Sequence, residues 1–174
     1  MEGFPIHTCA SAPEAARPQL DELRQRLGFV PNLLGVLAEA PAALDACLAL
    51  DEAFARTSLG PAERQLVLVA VSRANDCAYC LSAHARAAER AGLPAGAIEA
   101  VRAGLPLTDR RLEALRRLAD TIVRKRGRLD GADLSGFLDA GWSRAQVLEV
   151  LVGVALKTLG NYVDHLATLP FDPN

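Results

Sequence analysis

Prolines and glycines cut this sequence into runs dominated by Ala, Leu, Arg and Glu, with hardly a stretch of β-branched or aromatic residues between them. That pattern favours helix over strand, because the residues within the runs are strong helix formers and the residues between them interrupt or cap helices. The runs predict helices over 13–27, 30–39, 41–56, 61–75, 77–91, 95–103, 109–126, 132–140 and 144–169, and no strand. Pro61, following Gly60, suits a first helical position, and Glu63 then falls in the first turn, where a carboxylate meets free amides and the positive end of the helix dipole. Gly92, Gly104, Gly127 and Gly141 stand where C-terminal caps belong. The expected class is all-α. At 174 residues, the chain suits a single domain, 1–174, that can bury a core without disulfides or metal. A helix-turn-helix pattern around 61–92 returns around 132–169, which suggests an internal duplication.

Two segments, 61–75 and 144–160, are apolar over more than one face. Such helices either meet another subunit or lie wrapped at the centre of their own fold, and a homo-oligomer is the expectation here. With 51% hydrophobic and 23% charged residues, the chain is not disordered, and a net charge of -2 gives no general attraction to nucleic acid or to an anionic membrane surface. The start, MEGFPIHTCASAPEAARP, has no basic region followed by an apolar core. QLVLVAV is too short to cross a bilayer, and VLEVLVGVALKTLG carries Glu149 and Lys157. A cytoplasmic protein with no nucleic-acid or membrane partner is expected.

Four cysteines without a signal peptide fit a reducing compartment. Cys9 and Cys47 have no neighbours of interest and read as small apolar residues. The other two lie in NDCAYCLSAHARAAERAG, residues 75–92, where Cys77 and Cys80 are followed by His84. If Asp76 or Asn75 caps a helix, the three side chains fall within roughly 60° of one another and face the same way. A spacing of three can be closed by a disulfide, and the helix start should lower both thiol pKa values. His84 lies one turn beyond Cys80, close enough to take its proton directly or through water. Zinc would want four ligands, yet the sequence has no second Cys-x-x-Cys and no His-x-x-x-His, and His7 and His165 are isolated, so no metal is expected. Spacing alone leaves the nucleophile open: Cys77 is nearer the helix start, Cys80 nearer the histidine. A thioredoxin-like order would need a strand before Cys77, and none is expected.

The segment ERQLVLVAVSRANDCAYCLSAHARAAERAG resembles the core of the AhpD-like alkylhydroperoxidases within the carboxymuconolactone decarboxylase superfamily, in particular their peroxidase-related branch, and GFVPNLLGVLAEAPAALDACLALDEAF is also typical of that branch. The resemblance spans most of residues 28–92, with the redox core at 61–92. It implies an all-helical AhpD-like fold, assembly into dimers, trimers or hexamers, and a Cys-x-x-Cys pair that reduces organic hydroperoxides without a cofactor. Cys80 would then be the peroxidatic cysteine, passing through a sulfenic acid that Cys77 resolves as a disulfide. His84 matches the family histidine that activates Cys80. The family's relay glutamate, twelve residues before the first cysteine, is Gln65 here, which can hydrogen-bond but cannot accept a proton. Glu63 cannot simply replace it, because two residues along a helix is a rotation of about 200°. Tyr79 stands where some members carry a second histidine and is expected to line the pocket. His165, in NYVDHLATLP, could approach the site from the last helix.

The leading expectation is a thiol peroxidase that takes a small hydroperoxide and is regenerated by a dithiol reductant. A redox-sensing or disulfide-exchange oligomer is the non-enzymatic alternative. A lactone decarboxylase is a further one, but that chemistry has no use for a cysteine pair.

Overall fold

The computed structural model describes residues 3–173; Met1, Glu2 and Asn174 of the expected 1–174 domain lie outside the described residues. A short 3-10 turn at Glu14–Ala16 leads into α1 (Arg17–Leu27), followed by α2 (Asn32–Leu37), α3 (Pro41–Ala55), α4 (Pro61–Ala74), α5 (Ala78–Arg90), α6 (Ala95–Ala103), α7 (Arg110–Arg124), α8 (Gly131–Leu138) and α9 (Arg144–Ala167). No strand occurs among the described residues, and each helix falls within or beside the segment that the Pro/Gly punctuation predicts.

The core is built around α4. Every residue from Leu66 to Ser72 is buried, because α5, α7 and α9 pack around it on different sides. The apolar character of 61–75 is therefore spent inside the chain, and for this helix the wrapped-centre alternative replaces the expected subunit contact. The close approach of α9 to α3 depends on Gly153, where a Cβ would lie 2.6 Å from the Phe54 ring. On its other side, α9 leaves Leu148, Leu151, Tyr162 and Leu166 exposed. The expected duplication does not appear as two equivalent hairpins: α4 and α5 pack extensively on each other, whereas α8 packs chiefly on α7.

The turn from α4 to α5 places the cysteines. Cys77 N–H donates to Ser72 O at 2.9 Å and Asp76 N–H to Arg73 O at 3.1 Å, with Asp76 left-handed at φ 55°. This is a Schellman stop for α4. The same Cys77 is also the N-cap of α5, its Sγ accepting the Cys80 amide at 3.3 Å. One residue thus ends α4 and starts α5, which differs from the expected cap at Asn75 or Asp76.

Candidate active site

Cys77 occupies the cap, and Cys80 is the third residue of α5, within the turn whose free amides favour an anion. Both sulfurs are buried, among Val36, Tyr79 and Leu169. Cys80 and His84 line a cavity of about 520 Å³ formed with α1, α3 and α9, and Cys77 faces away from it toward the end of α9. A second cavity of similar size, about 510 Å³ between α7 and α8, contains none of these groups.

Three polar side chains on α9 reach this centre: Lys157, Asn161 and Asp164, spaced i, i+4, i+7 along one stripe of the helix. Lys157 and Asn161 are buried. Lys157 Nζ donates to His84 Nε2 at 2.9 Å, and His84 Nδ1–H donates to Gln65 Oε1 at 3.0 Å. These contacts fix the ring's tautomer. An ammonium can only donate, so Nε2 must be the lone-pair nitrogen and Nδ1 must carry the proton. Burial and then the Lys157 charge push His84 well below its ordinary 6.5, so the imidazole is neutral. His84 therefore does not contact Cys80 as a free base, because both of its nitrogens are engaged. Lys157 stands between them, within hydrogen-bonding reach of Cys80 as well.

The two thiols are driven apart. A hydrogen bond from Cys77 lowers Cys80 most; burial opposes it, and the Lys157 charge with hydrogen bonds from Asn161 and Lys157 outweighs burial, bringing Cys80 from about 9 to about 6. Cys77 is raised, chiefly by that same hydrogen bond to Cys80, then by burial and by the Cys80 charge. It also has a second acceptor for its proton, Asp164 Oδ2 at 3.2 Å. The expectation that the helix start would lower both thiols is thus corrected for Cys77: beside a thiolate and a carboxylate, a cap cysteine keeps its proton. Asn161 is held in turn by Asn75 Nδ2, which donates to its Oδ1 at 2.9 Å.

Glu63 lies elsewhere. It accepts the Gly60 amide at 2.7 Å and pairs with Arg111 at 3.8 Å, serving the start of α4. Tyr79 lines the cavity, and its hydroxyl donates to Asp172 Oδ2 at 2.6 Å. Asp172 Oδ1 accepts the Asn32 amide at 2.8 Å, and Phe171 stacks on Tyr79 with centroids 6.5 Å apart, so the C-terminal segment is strapped over the site. Cys47 also lines the cavity, where burial pushes its thiol up to about 11. His165 does approach the site, though from the Cys77 side. Cys77, Asp164 and His165 offer ligand atoms within 4.8 Å of one another, and among the described residues these three, without His84, are the group that could hold a metal ion.

Lys157, Asn161 and Asp164 are the residues that sequence reasoning missed. Lys157 attracts notice in the sequence only as a charge that interrupts an apolar stretch. The signal that could have found the set was the i, i+4, i+7 spacing of three polar residues, which places them on one face of the last helix.

The profile of the carboxymuconolactone decarboxylase family matches residues 38–121, which include the Cys-x-x-Cys segment and Gln65. No curated protein matches the sequence. Among solved structures, the chain is similar to an alkylhydroperoxidase AhpD core, peroxidase-related protein from Ralstonia eutropha JMP134, with 22% identity over 97% of this chain and 91% of that one and a TM-score of 0.85. A peroxidase-related protein from Silicibacter sp. TM1040 is 21% identical over 96% and 88% of the two chains, with a TM-score of 0.77. The debrominase Bmp8, in complex with 2,3,4-tribromopyrrole, is 16% identical over 98% and 94%, with a TM-score of 0.78.

Proposed function

The chain belongs to the carboxymuconolactone decarboxylase superfamily, with its AhpD-like fold, and from that premise we propose that it is a thiol-dependent peroxidase. The observation that carries the proposal is the splitting of the two thiols: Cys80 lowered to about 6 in a cavity, Cys77 kept protonated behind it. A lowered thiol facing a cavity is a nucleophile, and a protonated partner three residues away is a resolver. The Cys80 thiolate attacks the terminal oxygen of R–O–OH, the O–O bond breaks, and the departing alkoxide takes a proton from Lys157 to leave as the alcohol. Cys80 is then a sulfenic acid. The Cys77 sulfur attacks the Cys80 sulfur, its proton passing by way of Asp164 to the departing hydroxide, which leaves as water, while Lys157 regains a proton from solvent. The Cys77–Cys80 disulfide is returned to two thiols by an external dithiol, which supplies two electrons and two protons. His84, held by Gln65, receives the hydrogen bond of Lys157 and keeps its ammonium aimed at Cys80.

A redox sensor is the second reading, favoured by the raised Cys77 thiol, since slow resolution would leave the oxidised state long-lived. Turnover separates the two. With cumene hydroperoxide and either dithiothreitol or a thioredoxin system, a peroxidase consumes many equivalents of peroxide per chain. Consumption that stops after one equivalent supports the sensor, and no consumption overturns the thiol chemistry altogether.

A further inference from the structure

The cavity above Cys80 has a shape and charge of its own. Its walls are apolar, from Leu23, Leu27, Phe29, Leu34, Leu48 and Leu156, and its lining also includes Arg26, Arg86 and Arg90. Arg26 comes from the last turn of α1, and Arg90 is the final residue of α5; both are exposed. The carboxylates on the lining are Asp51 and Asp172. Asp172 is already taken by Tyr79 and the Asn32 amide, while burial raises Asp51 against the opposing charges of Arg26, Lys157 and Arg64. Arg90 has no ion-pair or hydrogen-bond partner among the described residues. The cavity lining therefore carries more guanidinium than carboxylate, around a body walled mostly by apolar side chains.

Length follows from the helix. Cys80 and Arg90 are ten residues apart on α5, about 15 Å along its axis at ~1.5 Å per residue. An extended chain covers about 3.6 Å for every three backbone bonds, and an arginine side chain reaches back some distance, so the gap corresponds to roughly eight to twelve carbons.

From this we infer that the substrate is a long-chain fatty-acid hydroperoxide, bound with its carboxylate at Arg26 and Arg90 and its peroxide carbon, about midway along the chain, at Cys80. The inference rests on the peroxidase reading for its chemistry but on the apolar walls and the arginines for its recognition. A guanidinium suits a carboxylate because its planar fork can donate two parallel hydrogen bonds. The hydrocarbon fills the leucine-lined body and removes apolar surface from water.

The test compares 9-hydroperoxyoctadecadienoic acid with its methyl ester, using the full chain and dithiothreitol as reductant. Solvent-accessible charge pairs are weak, so the acid should exceed the ester in kcat/KM by about five- to tenfold, mostly through KM, and the preference should shrink as salt is raised. In Arg26→Gln/Arg90→Gln the acid-to-ester ratio should fall to about one. Both esters and acids consumed at equal rates by the parent protein would overturn the inference and leave the peroxidase reading standing. Calorimetric binding of linoleate against linoleyl alcohol to the reduced protein separates the converse case. Linoleate bound more tightly in an arginine-dependent way, with no peroxide consumed, would support the recognition and sink the peroxidase reading. Linoleate bound no better than the alcohol would count against the inference whatever the peroxide rate.

Discussion

Lys157→Met is the substitution that most separates this site from a simple cysteine–histidine pair. The ammonium touches both His84 and Cys80, so its removal takes away one charge and one hydrogen bond from the thiolate while burial remains. Two unit charges about 4 Å apart at an effective dielectric constant near 20 interact by about 4 kcal/mol, which is about three pKa units. Cys80 should therefore climb from about 6 to about 9. At pH 7 the thiolate fraction would fall from about nine-tenths to about one-hundredth, a loss of roughly 100-fold in thiolate-dependent rate. The assay is iodoacetamide alkylation of the reduced protein against pH, with and without Lys157→Met, read by tandem mass spectrometry at Cys80 itself. The fold should survive, because methionine matches the length of Lys157 and Cys80, once it takes up its proton, leaves no uncompensated buried charge. An alkylation midpoint that stays near 6 in a folded Lys157→Met protein would refute the assignment and return the activation of Cys80 to the hydrogen bonds from Cys77 and Asn161. The sign also fixes a stability window. Cys80 is lower in the folded than in the unfolded chain, so its contribution is complete above about pH 9 and is lost as pH falls through about 6.

The remaining expectations concern its neighbours. Cys80→Ser should not react with peroxide, whereas Cys77→Ser should react once and leave a sulfenic acid on Cys80 that dimedone traps; a trapped Cys77 in the Cys80→Ser protein would reverse the roles. Asp164→Asn removes the carboxylate that accepts the Cys77 proton, so resolution should slow by at least tenfold and the sulfenic acid should accumulate, as seen by stopped-flow and dimedone labelling. Gln65→Glu sets an anion against His84 Nδ1–H, which makes Nε2 a stronger acceptor for the Lys157 ammonium and should speed the peroxide reaction. Glu63→Gln should instead cost about 1 kcal/mol of stability through the weakened hold on the Gly60 amide, with the rate unchanged. A slower Gln65→Glu protein together with a crippled Glu63→Gln protein would move the relay to Glu63.

The helices were legible because proline and glycine mark their ends locally, and Cys77, Cys80 and His84 were legible because they sit on one helix, where spacing is geometry. Lys157, Asn161 and Asp164 were not, since about eighty residues separate them from the cysteines and only the packing of α9 brings them across. The opposite behaviour of the two thiols was hidden for the same reason: the helix start acts on both, but Asp164 meets only Cys77, while Lys157 and Asn161 favour the Cys80 thiolate. The apolar faces of α4 misled in another way. Periodicity shows that a helix must be covered, and it does not show whether the cover comes from α5, α7 and α9 or from a second chain.

The most direct measurement on the central claim is a stoichiometric one. Fully reduced protein is mixed with one equivalent of cumene hydroperoxide in the absence of reductant, and thiols, alcohol product and disulfide-linked peptides are quantified. The expected result is one equivalent of cumyl alcohol, two of the four thiols lost, and a single bridge between Cys77 and Cys80. Retention of all four thiols, or a bridge that uses Cys9 or Cys47, would contradict it.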